Sequence, residues 1–398
     1  MAHSHSHDSG AHSHGHAHGH SHGETSSSME VDEATSQSEG AHQATVVATF
    51  DSYRQQALSA NQRRRADYYA LPPKHRDLLP EYNALLKEVD EKLEVNAEFV
   101  RKLIEANPFP PPEDAAHSAR APTEADHERL RSTLRQCARD WSETGRAERD
   151  STYAPILGAL QQSFSTLDPV ERAQTRVLVP GAGLGRLAWE IVRCGFTCQA
   201  NEFSLHMLIA SAFILNSMTE PNEYPIYPYL HSFSNIRSKH DLLSPSWIPD
   251  VAPNAIVDGD EDDDTPKGDF SFAAGDFLEL YGGVGTDGSY EADWDACVTC
   301  FFIDTARSIP HYLETIYGLL KPGGIWINCG PTLWHFENDH DAQSIELPLA
   351  DVKDLAKRIG FEILEEKEIE TSYTTNPRSL LRHVYTAAFW VARKPLAP

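Results

Sequence analysis

The sequence predicts an α/β protein whose C-terminal half forms a doubly wound, mostly parallel sheet and whose N-terminal part is helical. Strand and helix patterns alternate from Arg176 onwards, and residues 45–175 carry apolar side chains at three- and four-residue spacing. A glycine turn, "GAGLG" at 181–185, joins the first strand to a helix. We therefore expect one α/β domain over 176–398, preceded by a helical region over 45–175.

The first 44 residues are of low complexity and include a histidine-rich run at 3–22. Such a segment has too little apolar surface to form a core, so we predict that it is disordered. Closely spaced imidazoles could chelate zinc, nickel or copper. The alternative is adventitious metal binding without a function. The remaining sequence predicts no metal site.

Overall charge limits the classes of partner. The formal net charge is −25 and the pI is about 5.1, which argues against a nucleic acid or an anionic membrane as the main partner. The acidic run at 258–264 is interpreted as a solvated loop, because it lacks the spacing of a calcium loop. No membrane span or signal peptide is predicted. We expect a cytoplasmic protein, with the nucleus as a second location.

Six cysteines are scattered along the chain and are interpreted as reduced. Cys297 and Cys300 form a CxxC pattern within "WDACVTCFF", which reads as a buried strand. Residues three apart in a strand point to opposite faces, so a redox or zinc pair is disfavoured.

Helical periodicity dominates the region before the sheet. Two patterns cover "VVATFDSYRQQALSANQRRRADYYALP" and "YNALLKEVDEKLEVNAEFVRKLIEAN", and the proline-rich 107–126 interrupts them. A further helix follows in "DHERLRSTLRQCARDW", and after a charged turn there is another.

Seven strands are predicted from Arg176 onwards, in "RVLVP", "FTCQANE", "DFSFAAGD", "WDACVTCFF", "GIWINCG", "FEILEEKEIE" and "HVYTAAFWVAR". Helices are expected after the first, second, fourth and fifth of them. The last two strands follow each other without a helix, so at least one should be antiparallel. About 50 residues, 218–268, separate the second helix from the third strand, which indicates an insertion or a lid.

The glycine turn lies at the carboxyl end of the first strand, where ligands of open α/β sheets bind. Gly181, Gly183 and Gly185 form GxGxG, and Arg186 stands where a dinucleotide fingerprint would have its third glycine. This form is commoner for S-adenosylmethionine (SAM) than for a nicotinamide cofactor. A purely structural turn remains an alternative.

Acidic residues end the next two strands. Glu202 ends the second strand and could accept both hydroxyls of a ribose; alternatively, it is a charge at the start of the following helix. Asp276 follows the third strand and could accept an adenine amino group, with Phe277 stacking on the ring. A simple turn residue is the alternative for Asp276.

Two polar residues follow the fourth and fifth strands, where a methyl acceptor would lie. Asp304 is interpreted as an anchor for a cationic group, or else as a helix N-cap. His335, in "PTLWHFEN", is a candidate proton acceptor, or else a core histidine bonded to backbone. "LLKPGG" before the fifth strand is frequent in SAM-dependent methyltransferases, with Pro322, Gly323 and Gly324 forming the turn.

These strings together resemble the carnosine N-methyltransferase family. In order, they are "RDWSETGRAERD", "VLVPGAGLGRLAWE", "NEFS", "HSFSN", "AGDF", "TCFFIDTA", "LKPGGIWIN" and "HFEN", and the match runs from about Val47 to Lys394. The resemblance implies a Rossmann-like class I methyltransferase fold with an N-terminal helical extension. It also implies methyl transfer from SAM to the π-nitrogen of the carnosine imidazole, giving anserine, and suggests a homodimer.

The resemblance also implies site residues. The implied SAM contacts are Gln136, Arg139, Gly181, Glu202, Asp276, Phe277 and Cys300, and the pattern of the glycine turn adds Gly183 as a candidate. The implied acceptor contacts are Asp304, His335, Tyr385 and Tyr373, and the segment before Tyr385 departs from the family pattern. Arg139 could pair with the methionine carboxylate.

The predicted chemistry needs orientation more than a strong base, since much of an imidazole is neutral at pH 7. We expect His335 to accept the proton of the τ-nitrogen, with Tyr373 or Tyr385 orienting His335. We expect Asp304 to bind the β-alanyl ammonium. Two rivals remain open: a methyltransferase acting on histidine in another peptide or protein, and a SAM-binding protein without catalysis.

Overall fold

The computed structural model describes residues 25–113, 115, 119–256, 266–283, 292–339 and 343–396; over 25–37 it describes only the backbone. The histidine-rich run and the acidic run at 258–264 lie outside these residues. In the part described, no helix is both long enough and apolar enough to cross a membrane.

Among the described residues, six α-helices precede the sheet. They are α1 (Thr25–Ala70), α2 (Pro73–Arg76), α3 (Tyr82–Glu105), α4 (Glu124–Trp141), α5 (Arg146–Ser163) and α6 (Pro169–Gln174). Helix α4 begins with a capping box, in which Thr123 and Asp126 satisfy each other's backbone N–H groups. Its amphipathic face is buried, which is why the apolar spacing of this region predicted the helix correctly.

The predicted disorder over 1–44 is wrong for its second part, because α1 already begins at Thr25. A tertiary contact explains the extension at its near end. Gly40 is buried, and a Cβ there would lie 3.2 Å from the Cβ of Ala115 and 3.3 Å from Cγ of Pro112. This packing stabilises the part of α1 that lies before the apolar pattern. The contact forms only in the folded chain, because Gly40 is far from Pro112 and Ala115 in the sequence.

Strands and helices alternate after residue 175. The elements are β1 (Arg176–Pro180), α7 (Arg186–Arg193), β2 (Thr197–Glu202), α8 (Leu205–Ser217), β3 (Tyr224–Ile226), α9 (Lys239–Leu243), β4 (Ser246–Ile248), β5 (Phe270–Ala274), α10 (Phe277–Tyr281), β6 (Trp294–Cys300), α11 (Ile309–Leu319), β7 (Leu320–Gly330), α12 (Leu349–Ile359), β8 (Glu362–Thr371) and β9 (Tyr385–Arg393).

Seven of these strands form one sheet in the order β5-β2-β1-β6-β7-β9-β8. The first five in that order pair in parallel, and β9 is antiparallel to both neighbours. The predicted α/β class, the seven strands and the antiparallel C-terminal pair are therefore confirmed. The order reverses direction between β1 and β6, and this switch point is where ligands of such sheets bind.

Three differences from the prediction are local. A short helix, α10, also follows β5, where none was expected. Residues 322–324 lie inside β7 as an irregular excursion, between the pairs Trp294–Leu320 and Ala296–Ile325. The segment over 218–268 contains a small antiparallel hairpin of β3 and β4, together with α9.

Packing joins the helical region to the sheet domain. One core cluster contains side chains of α1, α3 and α4 together with those of α7, α8 and the hairpin. Two further clusters cover the two faces of the sheet, one with α5 and α7 and the other with α11 and α12. The carboxyl ends of the parallel strands are thereby left at one edge, with α4 beside them.

Candidate active site

The glycine turn begins where β1 ends. Gly181 has a φ of +66°, and a Cβ at this position would lie 2.5 Å from Cδ2 of Phe302. Only glycine fits here, because it adopts a left-handed backbone without strain and has no Cβ to collide with the ring. The N–H of Gly183 donates a hydrogen bond of 2.8 Å to Oε2 of Glu202, which joins the turn to the end of β2. The turn thus lies at the carboxyl end of β1, bound to the end of β2.

Glu202 is the predicted ribose acceptor. Its Oε1 accepts hydrogen bonds from the backbone N–H groups of Phe203 (2.9 Å) and Ser204 (2.7 Å), directly before α8. Burial raises the pKa of this carboxyl, while its backbone hydrogen bonds lower it. The structure therefore contains the alternative arrangement, a charge at a helix start. A carboxylate has lone pairs for further donors, so the ribose role stays a prediction.

Asp276 and Phe277 follow β5. Oδ1 of Asp276 accepts from the N–H groups of Leu278 (2.8 Å) and Glu279 (3.2 Å), so this residue caps α10. The Phe277 ring is 3 % exposed and packs edge-on against Phe302 and Tyr312. An exposed stacking face, which the sequence suggested for Phe277, is absent in this arrangement because the ring contributes to the core.

Helix α4 places Gln136 and Arg139 beside the turn. A Cβ on Gly183 would lie 3.7 Å from Nε2 of Gln136. The guanidinium of Arg139 is buried and donates to Asp140 (2.5 Å), Glu148 (3.0 Å) and the hydroxyl of Tyr153 (3.2 Å). Its remaining nitrogen, Nη2, is buried without a hydrogen-bond partner among the described residues. That orphaned donor suits an anionic ligand group such as a carboxylate.

Arg186, which replaces the third dinucleotide glycine, fixes α4 against the turn. Its Nη1 donates to the carbonyl of Asp140 (2.8 Å) and to Oδ1 of Asp250 (2.6 Å). Arg149 donates to the other oxygen of Asp250 at 2.5 Å. Trp141 adds a bond of 3.2 Å from its indole nitrogen to the carbonyl of Leu184. A glycine at 186 would lose the first two contacts.

Aromatic rings cover the far side of the cleft. Phe301, just past β6, has a φ of +53° and stacks on Tyr373 at 4.7 Å, with Tyr385 edge-on at 5.7 Å. The Arg139 guanidinium lies 4.7 Å from the centre of the Tyr373 ring. Phe301 and the next residue, Phe302, thus belong to opposite sides: the first faces the tyrosines and the second the glycine turn.

The strained backbone of Phe301 has a visible cause. Its N–H donates to the carbonyl of Cys329 at 2.9 Å, which draws it against the end of β7. A Cβ at Gly330 would lie 3.1 Å from both N and Cα of Phe301. Cys300 precedes this residue, and burial raises the pKa of its thiol to about 11. Cys300 is therefore a neutral wall residue beside Arg139.

Asp304 lies in a short 3-10 turn, Ile303–Thr305, after β6. Its Oδ2 accepts from the N–H of Leu333 at 3.1 Å, whereas Oδ1 is buried and has no partner among the described residues. Burial raises the pKa of this carboxyl to about 6. The next helix, α11, has Ser308 as its N-cap residue, so the N-cap interpretation of Asp304 is wrong. An unpartnered buried oxygen points instead to a ligand.

His335 lies beside Asp304, because its N–H donates to the Asp304 carbonyl at 3.0 Å. Its side chain is exposed rather than a core side chain. Partial desolvation lowers the pKa of the imidazole, which favours the neutral form at pH 7. A neutral imidazole can accept a proton.

Sequence reasoning missed Phe301 and Glu148. Phe301 was visible only as part of "CFFID", and nothing in that string indicates a left-handed backbone. Glu148 is part of "RDWSETGRAERD", but its partners, Ser372, Thr374 and Thr375, are more than 200 positions away, so no local pattern could identify its role.

The strand order, the glycine turn with Glu202 beside it, and the orphaned donor of Arg139 define the class of protein: a class I SAM-dependent methyltransferase. The donor set fits the ligand, since a carboxylate, ribose hydroxyls and a close backbone approach are what Arg139, Glu202 and the turn can serve.

Comparison with known proteins identifies the family. The family model described as "Carnosine N-methyltransferase" matches residues 116–396. The chain is 38% identical over 361 residues to the carnosine N-methyltransferase of Mus musculus, covering 88% of this chain and 85% of the relative. Over 363 residues it is 38% identical to that of Schizosaccharomyces pombe, covering 87% and 94%. The relative from Dictyostelium discoideum is 36% identical over 364 residues, covering 88% and 76%. The chain belongs to the carnosine N-methyltransferase family.

Proposed function

We propose that this protein transfers the methyl group of SAM to the π-nitrogen of the carnosine imidazole, giving anserine. The family and its relatives support carnosine as the acceptor. One observation in this chain carries the proposal. Just past the carboxyl end of β6, Asp304 holds a buried carboxyl oxygen that has no partner in the part of the chain that the structure describes, beside the switch point where the acceptor must meet the methyl donor.

Donor binding falls to one side of the cleft. Arg139 would bind the methionine carboxylate through its free Nη2, and Glu202 the ribose hydroxyls. Asp276 would accept from the adenine amino group. The remaining wall residues, which would exclude water, are Gln136, Gly181, Gly183 and Cys300, and the core ring of Phe277 packs against Phe302 beside the turn. Bound SAM supplies an electrophilic methyl group on a sulfonium.

Acceptor binding falls to the other side. The Asp304 carboxylate would take the β-alanyl ammonium, a charge-assisted contact in a buried place. Phe301, Tyr373 and Tyr385 offer three rings around a flat heterocycle. With the ammonium anchored and the ring held among these three side chains, the imidazole would present its π-nitrogen to the donor. Alignment of this kind can lower a barrier by about 7–11 kcal/mol.

Proton transfer falls to His335. The π-nitrogen lone pair would form the new N–C bond while the bond between the methyl group and the sulfonium sulfur breaks and S-adenosylhomocysteine leaves. The τ-nitrogen would then lose its proton. A neutral His335 can accept that proton, and its lowered pKa keeps it neutral. A positioned base contributes about 10²- to 10⁴-fold. His335→Ala should therefore lower kcat by that order while the affinity for S-adenosylhomocysteine stays unchanged.

Labelled SAM and a set of acceptors test this function. We expect transfer to carnosine, with the methyl group on the π-nitrogen by NMR. N-acetylcarnosine, which lacks the ammonium, should be a poor acceptor. Asp304→Asn should remove this preference, whereas Glu314→Gln, an exposed carboxylate on α11, should keep it. Transfer to a histidine peptide or protein but not to carnosine would replace the proposed acceptor.

We also propose a cytoplasmic or nuclear location and a homodimer. All six cysteines are free thiols, which suits a reducing compartment. Fractionation of cells and light scattering on the purified protein test these two points.

A further inference from the structure

Glu148, near the start of α5, is a buried carboxylate with four hydrogen bonds. Oε1 accepts from Nε of Arg139 (3.0 Å) and from the N–H of Thr374 (2.6 Å). Oε2 accepts from the hydroxyl of Ser372 (2.8 Å) and from the N–H of Thr375 (3.1 Å). Its side chain is only 10% exposed. One side chain therefore joins α4 to the segment that follows β8.

Helix α4 and the segment after β8, which Glu148 joins, serve different ligands in the proposed function. Arg139 lies on the donor side, and its Nη1 is already bound to Asp140 and Tyr153. The Glu148 contact to Nε fixes the remaining rotation of the guanidinium and leaves Nη2 without a partner within the described ranges. Thr374 follows Tyr373 directly and has a φ of +50°, a backbone state that needs support from its surroundings.

The contacts of Glu148 also fix the position of Tyr373 on the acceptor side. With its next residue held by Glu148, the Tyr373 ring lies between Phe301 at 4.7 Å and the Arg139 guanidinium at 4.7 Å. A hydrogen bond of 2.6 Å between the hydroxyls of Ser151 and Thr371 joins the end of β8, directly before this segment, to α5. Loss of Glu148 would release Tyr373 and Arg139 together.

We propose that Glu148 is a positioning residue. It holds Arg139 on the donor side and Tyr373 on the acceptor side in fixed relative positions, so that the bound methyl donor and the bound acceptor are aligned with each other. The ligand roles of Arg139 and Tyr373 rest on the proposed function. Glu148 itself touches neither ligand. Its effect is transmitted through a charge-assisted network, in which removing the charge weakens every bond at once.

Three variants separate the contact of Glu148 to Arg139 from its contacts to the segment after β8. Glu148→Gln keeps the size of the side chain but loses the charge and half of the acceptors. Ser372→Ala removes one bond on the loop side and leaves the contact to Arg139 intact. Asp150→Asn is the matched control, since it changes an exposed carboxylate two positions along α5. Affinity for S-adenosylhomocysteine by calorimetry and the KM for carnosine are measured for each.

Glu148→Gln should weaken S-adenosylhomocysteine binding and raise the carnosine KM, each by about tenfold, the size expected for a lost charge-assisted bond. Ser372→Ala should raise only the carnosine KM, by several-fold. Asp150→Asn should match the wild type. A purely structural role predicts a lower melting temperature and a smaller active fraction with both constants unchanged, and that result would overturn the proposal.

Hydrogen exchange provides a readout that needs no activity. The N–H groups of Thr374 and Thr375 are held by Glu148, so a peptide covering 372–376 should exchange about tenfold faster in Glu148→Gln than in Asp150→Asn. An unchanged exchange rate would contradict the proposal that Glu148 holds the segment after β8. A wild-type protein that leaves carnosine unmethylated would refute the proposed function, while the exchange and binding results would still decide the role of Glu148.

Discussion

Individual residues in the site are held in states that cost free energy. Phe301 has a left-handed backbone, and Asp304 keeps a carboxyl in a buried place, where one of its oxygens meets no partner among the residues that the structure describes. Such states persist only where the surrounding structure enforces them, and they cluster at functional sites. At the residue scale, function and stability are therefore expected to oppose each other.

Gly181→Ala should abolish tight donor binding. The new Cβ would meet the Phe302 ring at 2.5 Å, and the φ of +66° is unfavourable for alanine. We expect at least a tenfold loss of S-adenosylhomocysteine affinity by calorimetry. Gly158→Ala is the matched control, because its Cβ would meet nothing within 4 Å inside α5. That control should bind normally and gain about 0.5–1 kcal/mol of stability.

Asp304→Asn should stabilise the fold at neutral pH. The folded-state pKa is raised to about 6 from 3.8, so the folded protein binds this proton more tightly than the unfolded chain does. Stability from this group falls as the pH rises from about 4 to 6, and above pH 6 the buried charge costs about 2–3 kcal/mol. Asparagine keeps an oxygen for the N–H of Leu333 without that charge.

Denaturant unfolding at pH 7.5 and pH 5 measures the effect of Asp304→Asn. The gain should be larger at pH 7.5 by about 1 kcal/mol. A gain that does not depend on pH would mean that the carboxyl is not desolvated.

At the scale of secondary-structure elements, the donor site depends on how α4 meets α7. Arg186 at the start of α7 bonds to the last turn of α4 and to Asp250 in the segment after β4. Arg149 on α5 shares the same carboxylate. Three elements and one loop are thus joined by one buried charge cluster, and α4 carries Gln136 and Arg139 to their places.

Arg186→Met should lower stability by about 3 kcal/mol, because the partly buried Asp250 would keep only one cation. It should also weaken S-adenosylhomocysteine binding, since α4 loses its bond to α7. Arg193→Met is the matched control on the same helix: its side chain is half exposed, and its contact to Glu190 is a long 3.6 Å. The control should change neither thermal unfolding nor binding.

At the scale of the whole molecule, the helical region and the sheet domain share a core. Phe99 of α3 packs against Phe213 of α8 at 6.0 Å and Tyr224 of β3 at 5.8 Å. Asn96 on the same helix bonds to the backbone of Tyr227 in both directions, at 2.9 and 2.7 Å. The boundary expected at residue 175 is therefore a boundary in pattern and not a gap in packing.

Phe99→Ala should lower the free energy of unfolding by about 3–5 kcal/mol, because the ring is buried between both regions. We expect one calorimetric transition in the wild type and the variant, shifted as a whole to lower temperature. Leu79→Ala, at a side chain that is 45% exposed, should leave the transition in place. Two separate transitions, with only the first shifted, would show that the regions unfold independently.

Local patterns predicted much of this molecule. Strand alternation located all seven strands of the main sheet, and parallel pairing brings the ends of β1, β2, β5, β6 and β7 to one edge. That rule placed the glycine turn, Glu202, Asp276 and Asp304 near one another. The positions of Gln136, Arg139, Tyr373 and Tyr385 came only from the resemblance to a family, since they lie outside the parallel strand ends.

The amino-acid sequence by itself determined the fold class, the donor turn and the acidic residues that follow the strands, because periodicity and strand direction are local properties. Tertiary structure alone decided what those residues do. It turned Phe277 into the core, left an oxygen of Asp304 without a partner among the described residues and placed Glu148 between α4 and the segment after β8. These outcomes depend on contacts between distant parts of the chain, which no window of sequence contains.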